Sequence, residues 1–308
     1  MANIVVLGSF VYDMTARVSK FAENGETIIA KEFFSNCGGK GVNQAVAAKR
    51  LGADVEMIGC LGEDPYGQKF LDILKSEGIE SRFVFQDKDI PTGIAQIQID
   101  DNIQNRIVVI PGANIKFGLK ELDKASIAIK EGKLFISQLE LGKEVVFESL
   151  RRAKANNLIT ILNPAPAFVL KKDILEICDY ITPNELELSI LTNMPTDTVE
   201  ESILAAKHLV ELGAKTVVAT LGKNGALVAT KDEAYVVPCF KTEAVDTVGA
   251  GDSFNAAFAV KILEGATIKD AVIFANAEAS LTVRVKGAIP SFHKRNEVDA
   301  FSKEQLKK

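Results

Sequence analysis

The residues best placed to do chemistry lie in the run Asp246-Thr247-Val248-Gly249-Ala250-Gly251-Asp252-Ser253-Phe254. It follows an extended stretch, Ala234 to Thr242, and opens a helix with Phe254, Phe258 and Ile262 at i, i+4 spacing. Small residues at 249, 250 and 251 let backbone N–H groups converge without interference from Cβ atoms. These groups sit at a helix N-terminus, where the dipole favours negative charge. The run therefore predicts an anion hole suited to a phosphoryl group in flight. Asp252, in the first turn, can accept a proton from an alcohol beside that hole. The bland alternative for an isolated Asp is a helix N-cap. Two glycines flanking an alanine are costly for capping alone, which favours the catalytic role. The run lacks the third glycine of a dinucleotide fingerprint, and the chain has no Gly-x4-Gly-Lys-Ser/Thr loop.

A second run is Gly38-Gly39-Lys40-Gly41-Val42-Asn43-Gln44-Ala45. Three glycines around a lysine allow close backbone approach to a ligand, and Asn43 falls in the first turn of the helix that follows. Backbone N–H, Lys and Asn donors in a small pocket suit a polyol. As a bare pattern, a Gly-rich turn before a helix is often only a turn. The two histidines, His208 and His293, have no second ligand at metal spacing, so His-ligated zinc chemistry and His-based triads are disfavoured. Acid–base work here falls to a carboxylate. Cys37, Cys60, Cys178 and Cys239 are far apart, which reads as reduced thiols rather than a disulfide framework.

The elements that must position these residues alternate between strand and helix. Strands are expected at Ile4–Leu7, 55–61, 134–139, 159–162, 180–182 and 216–221. Helices are expected at 42–51, 67–76, 143–155, 199–212 and 253–263. Apolar strands alternating with helices imply a parallel sheet covered on both faces. Two stretches break the rhythm: 11–35 has no good helix, and 92–110 alternates like a β-hairpin around Asp100-Asp101-Asn102. We expect these two excursions to pair into a small sheet beside the main domain. Lys303 to Lys308 is expected to be a solvated, frayed end. The chain is 47% hydrophobic and 25% charged, which excludes a disordered protein. Lys+Arg 36 against Asp+Glu 41 leaves no basic run for a nucleic-acid backbone. Neither a signal peptide nor a membrane span is read, so a cytoplasmic location without a membrane partner is expected.

The two glycine-rich runs, in this order, resemble the two signatures of the ribokinase-like PfkB family of sugar kinases, and the resemblance covers essentially the full length. It implies a three-layer α/β/α sandwich spanning 1–308, with a mostly parallel sheet and a small β-sheet lid formed by about 11–36 and 91–111. It further implies ATP-dependent phosphorylation of the primary hydroxyl of a small sugar, ribose or a close pentose. By the same resemblance Asp252 is the base, and Gly249, Ala250 and Gly251 line the anion hole. Asp13, Gly39, Lys40, Asn43 and Glu140 match sugar contacts, Glu140 at the end of a strand where a doubly wound sheet places ligand groups. Asn184, Thr220, Gly222, Gly225, Gly251 and Asn276 match nucleotide contacts. Glu187 is associated with Mg²⁺ through water. Asp246, Val248, Thr282, Val285, Gly287 and Ser291 match a monovalent-cation site, which implies K⁺. Homodimers formed through the lid sheets are common in the family and are the implied assembly.

One departure stands out. The family run after the first strand is Gly-Ser-x-Asn-x-Asp, and here it is Gly8-Ser9-Phe10-Val11-Tyr12-Asp13. Val11 cannot bond a sugar hydroxyl, and an unpartnered hydroxyl there costs about 1–3 kcal/mol. The substrate then lacks one ribose hydroxyl, carries an apolar group there, or sits differently. Kinases of deoxyribose, hexoses, nucleosides or sugar phosphates remain open, as does a non-catalytic sugar sensor, against which the intact Asp252 run argues.

Overall fold

The computed structural model describes residues 3–102 and 104–305. In chain order the elements are β1 (Ile4–Leu7), β2 (Val11–Arg17), β3 (Glu32–Gly38), α1 (Lys40–Arg50), β4 (Val55–Gly62), α2 (Pro65–Glu77), β5 (Glu80–Asp87), β6 (Gly93–Ile99) and β7 (Asn105–Ile110). Next come α3 (Leu119–Glu131), β8 (Leu134–Ser137), α4 (Lys143–Ala155), β9 (Ile159–Leu162), α5 (Lys172–Ile177), β10 (Tyr180–Ile181), α6 (Glu185–Thr192) and α7 (Val199–Glu211). The last are β11 (Val217–Thr220), β12 (Ala226–Ala229), β13 (Ala234–Val237), α8 (Ala250–Leu263), α9 (Ile268–Thr282) and α10 (Arg295–Gln305).

Among the described residues, nine strands form one sheet in the order β13-β12-β11-β10-β9-β8-β1-β4-β5. It is parallel from β11 to β5, while β12 and β13 close one edge antiparallel. The pleat of β1 explains the layering. Ile4 and Val6 enter the core under α1, α8 and α9, while Val5 and Leu7 enter the core under α3, α4 and α7. Both faces are therefore covered, and the chain is a three-layer α/β/α sandwich. Among the described residues, no helix is long and apolar enough to cross a membrane.

The two excursions do pair. A second sheet runs β3-β2-β6-β7, with β2 antiparallel to β3 and parallel to β6, and β6 antiparallel to β7. Its first strand leaves the large sheet directly beyond the carboxyl end of β1.

Three expectations need correction. The strand expected to reach residue 139 ends at Ser137, so Glu140 stands beyond the sheet edge rather than on the last strand residue. Only Ala234–Val237 of the extended stretch 234–242 is strand, because it pairs with β12 and then leaves the sheet. Residues 303–305 continue α10 instead of fraying, and 306–308 lie outside the described residues.

Candidate active site

Asp252 is 8% exposed and sits in the first turn of α8. It is not the N-cap. That position is Gly249, whose φ of 82° is left-handed, and a Cβ there would stand 2.9 Å from the Cα of Ala288. A Cβ on Gly251 would meet nothing within 4 Å. The helix therefore opens onto free space at its amide end. Ser253 N–H, bonded to Gly249 O at 2.8 Å, closes the first full turn; the Ala250 amide before it donates to Thr247 O at 3.3 Å, and the Gly251 and Asp252 amides follow at the helix end.

The Asp252 carboxylate is held from the opposite helix. Asn43 Nδ2 donates to Oδ2 at 2.8 Å, and Gln44 Nε2 donates to Oδ1 at 3.1 Å. The glycines at and just before the start of α1 make this reach feasible. A Cβ on Gly41 would stand 2.5 Å from Gly8 C, and one on Gly39 would stand 2.7 Å from Val11 N. A Cβ on Gly38 would meet Asp13 Oδ2 at 2.5 Å. These glycines thus seat α1 against the β1–β2 turn and against a carboxylate of the chain itself.

Three carboxylates converge here. Val11 and Asp13 lie on one face of β2, while Tyr12 turns away to stack on Tyr66 at 4.5 Å between ring centroids. Burial first, then the charges of Glu140 and Asp252, push Asp13 up to about 7. Burial also raises Glu140, opposed by Lys40 and by bonds from Ser9 Oγ and the Lys40 amide. Burial alone would lower the Lys40 ammonium, but Asp252, Glu140 and Glu187 together hold it above its usual range. Lys40 is therefore the positive centre of the cluster.

Beside the free end of α8 runs a groove of about 1620 Å³. Asn184, Thr220, Gly222, Gly225, Gly251 and Asn276 all line it. Asn276 Nδ2 is committed to the carbonyls of Val237 and Pro238 at 3.0 and 3.2 Å, so it braces the groove wall. Asn184 caps α6 in a reciprocal box. Its Oδ1 accepts from Glu187 N at 2.8 Å, and Glu187 Oε2 accepts from Asn184 N at 2.9 Å. Burial raises Glu187, and Lys40 opposes it. Among the described residues no three His, Cys, Asp or Glu side chains are grouped so that they could hold a metal ion by themselves. A Mg²⁺ here would depend on phosphate and water oxygens beside the Glu187 carboxylate, which suits that ion.

Asp246 ties the two loops expected to hold a monovalent cation. Its Oδ1 accepts from Val248 N at 3.0 Å and its Oδ2 from Gly287 N at 2.9 Å. Thr282 Oγ1 donates to Ser253 Oγ at 2.9 Å, and Ser291 Oγ donates to Ala288 O at 2.6 Å. With Val285 between them in sequence, these segments flank the start of α8. All four side-chain oxygens already have partners, so a K⁺ would draw mainly on the backbone carbonyls of these segments.

Sequence reasoning missed four residues. Ser9 bonds Glu140; Gln44 and Asn163 reach Asp252 directly and through one amide; and Asn36 pairs with Asp13 across β2 and β3. Gln44 stood in the quoted motif, but nothing local shows which helical residue faces a partner more than two hundred positions away.

The model of the pfkB family carbohydrate kinases matches residues 1–295. A ribokinase of Bacillus subtilis is 38% identical over 301 residues, covering 97% of this chain and 99% of that protein. A deoxyribokinase of Salmonella typhi is 37% identical over 303 residues, covering 96% and 98%. Among solved structures, Arabidopsis thaliana ribokinase complexed with ribose and ATP superposes with a TM-score of 0.91 at 32% identity, covering 98% of this chain and 99% of that one. The fold, the two glycine-rich runs and these likenesses agree: the chain belongs to the pfkB family of carbohydrate kinases.

Proposed function

We propose that this ATP-dependent sugar kinase transfers the γ-phosphoryl group of ATP to the primary hydroxyl of a pentose of the ribose class. The observation that carries the reading is Asp252. Its carboxylate stands in the first turn of α8, whose start lines the groove, and within electrostatic reach of Asp13 and Glu140. In this reading Asp252 takes the hydroxyl proton as the oxygen attacks, and the amides of 249–251 receive the charge on the phosphoryl oxygens. Lys40 offsets the surrounding carboxylates and orients the phosphoryl group. Asp13, Glu140, Asn43 and the Gly39 backbone hold the sugar hydroxyls. Asn184, Thr220, Gly222, Gly225 and Asn276 shape the nucleotide site.

Mg²⁺ would be held beside Glu187, where it supplies charge neutralisation to the phosphates. K⁺ would be held by the 246–248 and 285–291 loops with Thr282, where it favours negative charge at the start of α8. The four-stranded sheet, residues of about 11–36 and 91–111, is assigned as a lid that excludes water from the transfer. The sheet exposes Phe33 and Val108 on the face opposite Asp13, and Ile107 and Val109 on the Asp13 face of its edge strand, which supports a dimer contact at that sheet.

A second reading is favoured by Val11, which shares the Asp13 face and offers no polar atom to a hydroxyl. It makes 2-deoxyribose the better substrate, in line with the Salmonella typhi deoxyribokinase similarity. Phosphorylation of a panel of ribose, 2-deoxyribose, fructose and nucleosides, followed by ADP release with and without K⁺, tests both readings. Turnover of neither pentose overturns both.

A further inference from the structure

Gln44 is fully buried and so touches neither solvent nor substrate. Yet its amide makes three bonds, and each has a fixed sense. Nε2 donates to Asp252 Oδ1 at 3.1 Å and to Asn163 Oδ1 at 3.2 Å. Oε1 accepts from Gln138 Nε2 at 2.7 Å. Turning the Gln44 amide over would set its oxygen against the Asp252 carboxylate, two acceptors with no proton between them. Asn163 is fixed in turn, because its own Nδ2 donates to Thr182 O at 3.0 Å.

The placement of these partners is systematic. Gln138, Asn163 and Thr182 each stand one residue beyond the carboxyl end of β8, β9 and β10, which are neighbours in the sheet. Gly8 stands in the same place beyond β1, and a Cβ on it would lie 2.3 Å from Gln138 Oε1. A row of amides at the sheet edge therefore ends on the carboxylate of the base.

We propose that Gln44 is a positioning residue for the transfer: it transmits the geometry of the sheet edge to Asp252 and holds Oδ1 there, so that Oδ2, which Asn43 also holds, keeps a lone pair for the substrate hydroxyl. A neutral donor does this without adding a counter-charge that would weaken the base. The inference rests on the reading of Asp252 as that base.

The test is kinetic. Gln44→Met keeps the volume and removes the donor. It is expected to lower kcat about 10- to 100-fold, the scale of a small misplacement of a reacting group, while the sugar KM changes by less than about threefold. The acid limb of its kcat–pH profile is expected to move to higher pH, because a donor to the charged carboxylate is gone. A merely structural role would not move that limb. Gln138→Met, which frees the Gln44 amide, is expected to give a smaller loss of the same kind, and it decides the matter if Gln44→Met does not fold. A kcat within about twofold of the native value in the folded variant, or equal losses in kcat and sugar affinity with an unmoved pH limb, overturns the proposal. Asp252→Asn serves as the control. If it is inactive while Gln44→Met is native-like, only the positioning role falls; if it is itself active, the base assignment falls.

Discussion

Asn43 and Asp252 are 209 positions apart in the chain, yet Asn43 Nδ2 donates to Asp252 Oδ2 at 2.8 Å. One residue comes from each glycine-rich run, so this bond joins the two runs. Asn43 Oδ1 is buried without a partner among the described residues. A buried acceptor of this kind calls for a donor, and in the proposed reading a sugar hydroxyl would supply one. Asn43→Ala is expected to raise the sugar KM at least about tenfold, on the scale of a hydrogen bond lost to a buried group. Steady-state kinetics with ATP saturating measures it.

Asp13 provides a pH test. Pushed up to about 7 by burial and by its two carboxylate neighbours, it is substantially protonated in slightly acid solution. A protonated carboxyl loses acceptor capacity toward sugar hydroxyls. Sugar affinity, measured by calorimetry without nucleotide, is expected to fall as pH drops from 8 to 6 (roughly two units around the shifted value). In Asp13→Asn that slope should flatten.

The same shift has a sign for stability. Between the ordinary value of 3.8 and about 7, the folded chain binds more protons at Asp13 than the unfolded chain does. Its contribution therefore favours folding below that window and is lost as pH rises through it. The ligand-free Asp13→Asn protein is expected to gain melting temperature over the native protein at pH 8 and to gain less in the acid range. Thermal scans at both ends measure the difference.

Two glycines two residues apart at the start of α8 should respond differently. Gly249→Ala meets a left-handed φ and the Ala288 backbone, so it is expected to destabilise the fold by more than about 1 kcal/mol. Gly251→Ala meets open space, so its melting temperature is expected to stay near native. Its methyl group would stand at the phosphoryl side of the helix end, and kcat should fall while folding does not. Melting curves set beside turnover separate the two effects.

Val11 addresses sugar choice. Val11→Asn restores a polar side chain on the Asp13 face. It is expected to raise the ratio of kcat/KM for ribose over 2-deoxyribose by about 5- to 150-fold, corresponding to about 1–3 kcal/mol for one hydroxyl. An unchanged ratio would remove Val11 from the specificity argument.

The layered fold was legible because strands such as Ile4–Leu7 and helices such as Lys143–Ala155 carry unambiguous patterns. The edge was not. Ala226–Ala229 is short and alanine-rich, and it becomes a strand only by pairing antiparallel with Val217–Thr220. The same divide runs through the site. Asp252 and Asn43 announce themselves by sitting in glycine-rich runs. Gln44, Gln138 and Asn163 are ordinary amides until the sheet lines up the ends of three strands. Gly38, Gly39 and Gly41 showed close approach in the sequence, but not that the approaching groups are Asp13, Val11 and Gly8.

The central claim is that Asp252 takes the proton of the hydroxyl that receives the phosphoryl group. A crystal structure with a pentose and a non-hydrolysable ATP analogue measures it directly. The account predicts the primary hydroxyl within about 3 Å of an Asp252 carboxylate oxygen, with the terminal phosphate at the amides of 249–251. A terminal phosphate bound away from the start of α8, or a hydroxyl facing a different carboxylate, would contradict it.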